Sequence, residues 1–217
     1  MLLKLKMSTI SAVSVASAAS AASAFDDNDN DNIYHDIVKH YNDNIVDLET
    51  KEGGQIRASR GELVENMIDI VCKHLGIKSL KGSNDMKVIT VTGRDGNVYK
   101  QSHQVDRHLY YRGSLIAVVE CKAYLDACYY VRACSDFKRM KKEYPGIKAF
   151  IFSLENSISD NSLAFTDVDF DYVCDGIFFM CDGKRSSSKP IYMKKYYKSI
   201  VSDKLIAFVN TLKKLLH

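Results

Sequence analysis

The chain has 217 residues, 46% of them hydrophobic, and a formal charge of +3 from 30 Lys+Arg against 27 Asp+Glu. That length and apolar content suit one α/β domain, with or without a tail, and exclude a chain too polar to build a core. The charge is too small to name a partner. Its distribution says more: residues 101–217 hold 18 Lys+Arg against 13 Asp+Glu, whereas residues 1–100 hold 12 against 14, and a basic surplus of that kind is compatible with a polyanion.

The first 24 residues, MLLKLKMSTISAVSVASAASAASA, carry two lysines and an A-x-A-like end, as a secretory signal does. Serine interrupts the apolar stretch, so the segment reads as a low-complexity Ala/Ser leader of an intracellular, cytoplasmic protein. Nothing else in the chain is long and apolar enough to cross a bilayer. The run DDNDNDN at 26–32 lacks the glycine and the closing glutamate of a calcium loop and reads as solvated linker. Residues 1–32 are therefore expected to be a disordered leader and linker, and residues 33–217 a single folded domain.

Ile33, Ile37, Val38 and Tyr41 share one face of a first helix. After the glycine pair in KEGGQIRASRG, Ser59 or Arg60 precedes a stronger helix, GELVENMIDIVCKHLG. Glu62 and Glu65 are expected in its first turns, where the dipole favours negative charge, and Gly76 should close it. MKVITVTG at 86–93 alternates as a strand and turns at RDGN. HQVDRHLYY is read as one strand, Arg112-Gly113 as a hairpin turn, and SLIAVVECKAYL as the next strand, central because LIAVV is apolar on both faces. From Asp126 to about Tyr144 the period becomes helical, with Tyr130, Ala133, Cys134 and Phe137 inward, ended by Pro145-Gly146. IKAFIFSLE follows as a strand parallel to the one before, through that crossover helix. DGIFFMC at 175–181 is a further strand, and Ile200–Leu216 a closing amphipathic helix. The order gives an α/β fold, a central mixed β-sheet flanked by helices.

The six cysteines, at 72, 121, 128, 134, 174 and 181, form no C-x-x-C pair. Cys121, Cys128 and Cys134 with His103 or His108 lack the spacing of a zinc knuckle, so reduced thiols are expected. His103 and His108 read as surface or satisfied core histidines, and Tyr110, Tyr111, Tyr129 and Tyr130 as core or sheet-flank aromatics.

The unusual feature lies in QVDRHLYYRGSLIAVVECKAYLD. Glu120 and Lys122 are i and i+2 on a strand and project to the same face, and Asp106 on the partner strand reaches the same point. An E-x-K on a strand is often an edge ion pair, but this strand is too apolar to be an edge. Two carboxylates brought together repel, and a divalent cation removes that cost; oxygen ligands with open water positions suit Mg²⁺. A lysine beside such an ion orients water or steadies charge on a phosphate, which is the chemistry of phosphodiester hydrolysis.

A helix with glutamate, then VD106-(x13)-E120-C-K122, then a crossover helix and strand, resembles the PD-(D/E)XK nuclease superfamily, and more narrowly the type II restriction endonucleases of the small four-base-cutter kind. The likeness spans roughly residues 55–200. It implies a restriction-endonuclease-like fold and Mg²⁺-dependent cleavage of double-stranded DNA at a short palindrome by a homodimer. It also implies products with 5′-phosphates and a companion DNA methyltransferase. Carried over by position, Asp106 and Glu120 are metal ligands, Lys122 the water-orienting base or phosphate partner, and Glu65 or Glu62 a helix-borne acid of the metal network. Valine stands where the motif has proline, and Asp95 and Asp85 are fallbacks for the first acid. In the basic loop KRSSSK, Lys184, Arg185, Ser187 and Lys189 are candidate DNA contacts. Lys138, Arg139, Lys141 and Lys142 suit a solvated helix end at least as well. Two rivals remain: a repair or junction-resolving nuclease of the same fold, and a non-catalytic exported binding protein whose E-x-K is an ion pair.

Overall fold

The computed structural model describes residues 27–45, Leu48 and 53–217; the leader at 1–24 lies outside them. Helix α1 (Asp27–Ile45) begins within the Asp/Asn run. Sequence reasoning set the first folded residue at Ile33; Asp29 and Asp31 instead sit in the opening turns, where acidic groups complement the helix dipole. Ile33, Ile37, Tyr41 and Ile45 are its buried stripe.

Helix α2 (Gly53–His74) also starts earlier than expected. Gln55, Ile56, Arg57 and Ala58 carry it through the glycine pair. Glu62 and Glu65 are therefore interior to the helix, not in its first turns, and the dipole does not account for them. Its end is as expected: Gly76 takes φ +65°, and the Ile77 N–H returns to the Cys72 carbonyl at 2.9 Å.

The strands are β1 (Lys78–Lys81), β2 (Lys87–Thr92), β3 (Val98–His103), β4 (Arg107–Tyr111) and β5 (Ser114–Leu125). Then come α3 (Ala127–Glu143), β6 (Lys148–Asn156), α4 (Asp160–Asp169), β7 (Gly176–Phe179) and α5 (Ser202–Lys213). The central sheet runs β1-β4-β5-β6-β7, and β2-β3 is a separate two-stranded ribbon. Pairing is antiparallel from β1 to β5 and parallel from β5 to β7, so the sheet is mixed and flanked by helices, as expected. The β4–β5 turn places Arg112 at φ 50° and Gly113 at φ 83°, the left-handed pair that suits a two-residue hairpin. Ala117, Val119 and Cys121 of β5 pack with α1, α2 and α5, and Val118 packs with α3 on the other face. No helix among the described residues is long and apolar enough to cross a membrane.

One expected strand divides. HQVDRHLYY ends one strand at His103, in the ribbon, and begins another at Arg107, in the central sheet. Asp106 therefore precedes β4 instead of lying on it. The short β1 and helix α4 also escaped the periodicity reading.

A polar network ties the ribbon to the sheet. Asp85 accepts from Lys87 at 2.8 Å and from the Tyr110 hydroxyl at 2.6 Å, and lies 3.0 Å from His108 Nδ1. His108 Nε2 accepts from the Val105 N–H at 3.3 Å, which leaves the ring proton on Nδ1, facing Asp85. Burial pushes the Asp85 carboxyl up, but Lys87, Tyr110 and His108 outweigh it and lower its pKa to about 2. A carboxylate depressed below its ordinary 3.8 stabilises the fold above that value and loses the contribution as pH falls through the depressed one. The expectation is a loss of stability between about pH 4 and pH 2 in acid-unfolding curves. Asp85→Asn should lower stability at neutral pH and flatten that limb, as read by circular dichroism.

Candidate active site

The β4–β5 ladder stops at the Arg107–Val119 pair. Beyond it the Cys121 N–H has no partner on β4, and the Asp106 carboxylate takes the position, accepting at 2.8 Å. The Asp106 side chain thus continues the sheet edge beside the last turns of β5. The parallel ladder to β6 carries on past this point, pairing Glu120 with Ile151 and Lys122 with Ser153, so both residues stay on rigid strand. By the two-residue repeat they continue the Val118 side.

The three motif residues meet. Lys122 Nζ lies 2.6 Å from Glu120 Oε1, 3.1 Å from Asp106 Oδ2 and 3.2 Å from the Cys121 carbonyl. Burial alone would pull the ammonium's pKa down; the two carboxylates outweigh it and push it up. Glu120, only 7% exposed, is driven the other way. Burial, then repulsion by Asp106, raises its carboxyl, and Lys122 only partly offsets this. The arrangement is two acids and a carbonyl around one cation, directly after the fully buried Ala117, Val118 and Val119.

Backbone packing holds Asp106 in place. Gly82 donates its N–H to the Asp106 carbonyl at 3.1 Å. A Cβ on Gly82 would lie 1.9 Å from the Val105 carbonyl oxygen, so no other residue fits without moving the acid.

Glu65 is present but otherwise engaged. Arg107, fully buried, donates to Glu65 at 2.7 Å and to Asp69 at 2.9 Å. Burial raises the Glu65 carboxyl, Arg107 pulls it down, and repulsion from Asp106 adds to the rise, so the net direction is up. Glu65 therefore shares the field of Asp106 while serving the guanidinium; Glu62 is exposed. Sequence reasoning missed Arg107, although Glu65 and Asp69 stand one helical turn apart, as a forked partner requires.

The basic loop comes to the same end of the sheet. Lys184 forms a parallel bridge with Asn156 and donates to the Ile158 carbonyl at 2.5 Å, and Arg185 lies over the Tyr124 ring at 3.6 Å. Ser187 and Lys189 are exposed beyond them. At the end of α3, Lys138 pairs with Asp171, Lys141 with Asp175 and Arg139 with Asp136, so these cations are met by the protein's own acids. Asp95 sits in the ribbon turn with Asn97 and Tyr99, and Asp85 in the network described above, both outside the cluster. His108 is a satisfied core residue, and buried His103 lies 3.5 Å from Asp136. All six cysteines are free thiols.

No family model matches this chain. Over 148 residues it is 23% identical to the type II restriction enzyme DdeI of Desulfomicrobium norvegicum (strain DSM 1741 / NCIMB 8310), an alignment covering 59% of this chain and 58% of that protein. This chain is distantly similar to a type II restriction enzyme. It spans less than two thirds of that relative's length. Among solved structures, that of the native BbvCI A2B2 tetramer at low resolution is similar at a TM-score of 0.39 and 11% identity, with 86% of each chain covered.

Among the described residues no group of three or more His, Cys, Asp and Glu side chains has the geometry of a metal site. The oxygens gathered on Lys122 Nζ are instead two carboxylates and a main-chain carbonyl, a donor set that fits Mg²⁺ with the remaining positions left to water. The ammonium stands where a cation would sit, and a divalent ion held there would compete with Lys122 for the same oxygens. Lys122→Met should tighten Mg²⁺ binding by about tenfold or more, because losing a competing pair interaction of about 1.4 kcal/mol is tenfold in affinity; isothermal titration calorimetry reads it. In the same titration Glu120→Gln should weaken binding. A further expectation concerns Gly82→Ala, which should displace Asp106 and weaken Mg²⁺ binding in the folded fraction.

Proposed function

We propose that the chain is a Mg²⁺-dependent endonuclease of the type II restriction class, with one nuclease domain from helix α1 onward, residues 27–217, that hydrolyses phosphodiester bonds of double-stranded DNA. The observation that carries this reading is the grip of Asp106, Glu120 and the Cys121 carbonyl on the Lys122 ammonium, on a central strand just past the end of its antiparallel partner. Two mutually repelling acids brought onto one partly exposed amine, where the antiparallel ladder has ended, form a set of oxygens that an added cation would stabilise. The name of the relative, a type II restriction enzyme, supports the same reading.

Asp106, Glu120 and the Cys121 carbonyl would hold the ion. When bound, Mg²⁺ supplies Lewis-acid polarisation of the phosphate and lowers the pKa of water. The chain's own contribution centres on Lys122. Gripped by two carboxylates it is a fully protonated donor, suited to a non-bridging phosphate oxygen. Once the carboxylate charge is neutralised, burial is left to act on the amine and moves its pKa down. The same residue can then accept a proton from an attacking water or orient it for in-line displacement. Glu65 joins as a helix-borne acid held in place by Arg107. Ser187 and Lys189, both exposed, would contact DNA together with Lys184 and Arg185. A homodimer cutting a short palindrome to leave 5′-phosphate ends completes the reading, with a companion DNA methyltransferase to protect the host's own sites.

The test is a digest of unmethylated phage DNA by purified protein with Mg²⁺ and, separately, with EDTA. Discrete Mg²⁺-dependent bands are expected, and Glu120→Gln or Lys122→Met should lower the rate at least about 100-fold, the scale of losing one electrostatic stabiliser. A smear would favour a repair or structure-selective nuclease. Intact DNA would reduce Glu120 and Lys122 to an ion pair.

A further inference from the structure

Two residues beyond Lys122, about 6.6 Å along the strand, β5 presents Tyr124. Arg185 lies over its ring at 3.6 Å, and Arg60 of α2 lies 5.7 Å from the same ring and 5.4 Å from that of Tyr192. The two guanidiniums are close enough to repel: Arg60 is held below its ordinary range by burial and then by Arg185. Among the described residues no carboxylate comes within salt-bridge distance of either arginine. The acid that attracts Arg60 most is Glu155, but Glu155 is 2% exposed and takes its 2.8 Å hydrogen bond from Lys198. The one carboxylate in whose field Arg60 lies is therefore already committed to Lys198.

Like charges drawn together over aromatic rings are costly in the free protein. The aromatic faces orient both guanidiniums without neutralising them. A single anion with several acceptor oxygens would bond both forks at once. On the functional reading above, on which this inference rests, such an anion is supplied by the substrate itself. Neighbouring phosphates of one DNA strand are separated by about the interval that divides Lys122 from Tyr124 along β5.

We propose that Arg60 and Arg185, stacked on Tyr124 and Tyr192, form an anchor for a single DNA backbone phosphate next to the one being cleaved. The anchor sets the register of the strand over Lys122. It is blind to base identity, because it touches only the backbone.

The test measures binding of a short mixed-sequence duplex by fluorescence anisotropy across a range of salt, with Ca²⁺ replacing Mg²⁺ and the full chain throughout. The double variant Arg60→Gln/Arg185→Gln should lower the slope of log K against log salt by about 0.9, one phosphate's worth. Arg60→Lys/Arg185→Lys, which keeps the charges, should restore most of it. The unfolding midpoint of the Gln double variant should stay near that of wild type. A slope unchanged in the Gln double variant overturns the anchor and leaves a structural cation–π cluster. Should that variant fail to fold, Arg185→Gln alone, on its surface loop, decides by the same criterion. Wild-type protein that neither binds nor cuts duplex DNA would sink both this inference and the nuclease reading. Binding and cutting with an unchanged slope would sink only the anchor.

Discussion

The placement of β5 inside the sheet governs the rest of the molecule. It is paired antiparallel with β4 on one side and parallel with β6 on the other, and both faces are covered by helices. A strand enclosed in this way has no room for an unpaired charge along its middle. Ala117, Val118 and Val119 meet that condition. The first charged side chain of the strand appears at Glu120, one residue past the end of the β4 ladder, where the backbone of the neighbouring strand no longer closes the edge. The site is where it is because the antiparallel partner stops and the parallel one continues.

Charge compensation around that opening is divided between two cations. Lys122 gathers Asp106 and Glu120, and Arg107 gathers Glu65 and Asp69. Asp106 and Arg107 are consecutive, so the two groups of acids meet across a single peptide unit. Lys122 is a single ammonium at the end of a flexible stem and remains partly exposed. Arg107 is fully enclosed, and its planar fork spans two acids of helix α2. One cation meets solvent and the other does not.

Much of this was legible from the residues. The apolar run of β5, the Arg112-Gly113 turn, the crossover helix α3 with its buried stripe and the parallel β6 all follow from periodicity and turn chemistry. So does the meeting of Glu120 with Lys122, because a strand fixes i and i+2 on one side. What failed to show has physical causes. β1 is four residues long and half exposed, too short to express a period. The break in HQVDRHLYY is invisible locally, since β3 and β4 are both extended and differ only in which sheet they join. The start of α2 was hidden by a glycine pair, which the helix runs through although Gly54 and Gln55 are exposed. Arg107 and Arg60 were missed because their partners are far along the chain: Glu65 and Asp69 for the first, Tyr124 and Tyr192 for the second.

Helix α2 touches more of the site than any other helix. It carries Arg60 beside Tyr124, and Glu65 and Asp69 on Arg107, the residue joined directly to Asp106. Five residues of helix, about 7.5 Å, separate Arg60 from Glu65, too short a rod to bend. Arg60 and Glu65 consequently keep one spacing along a single stretch of helix, so the cation beside Tyr124 and the acid on Arg107 are set at a fixed separation by the backbone alone.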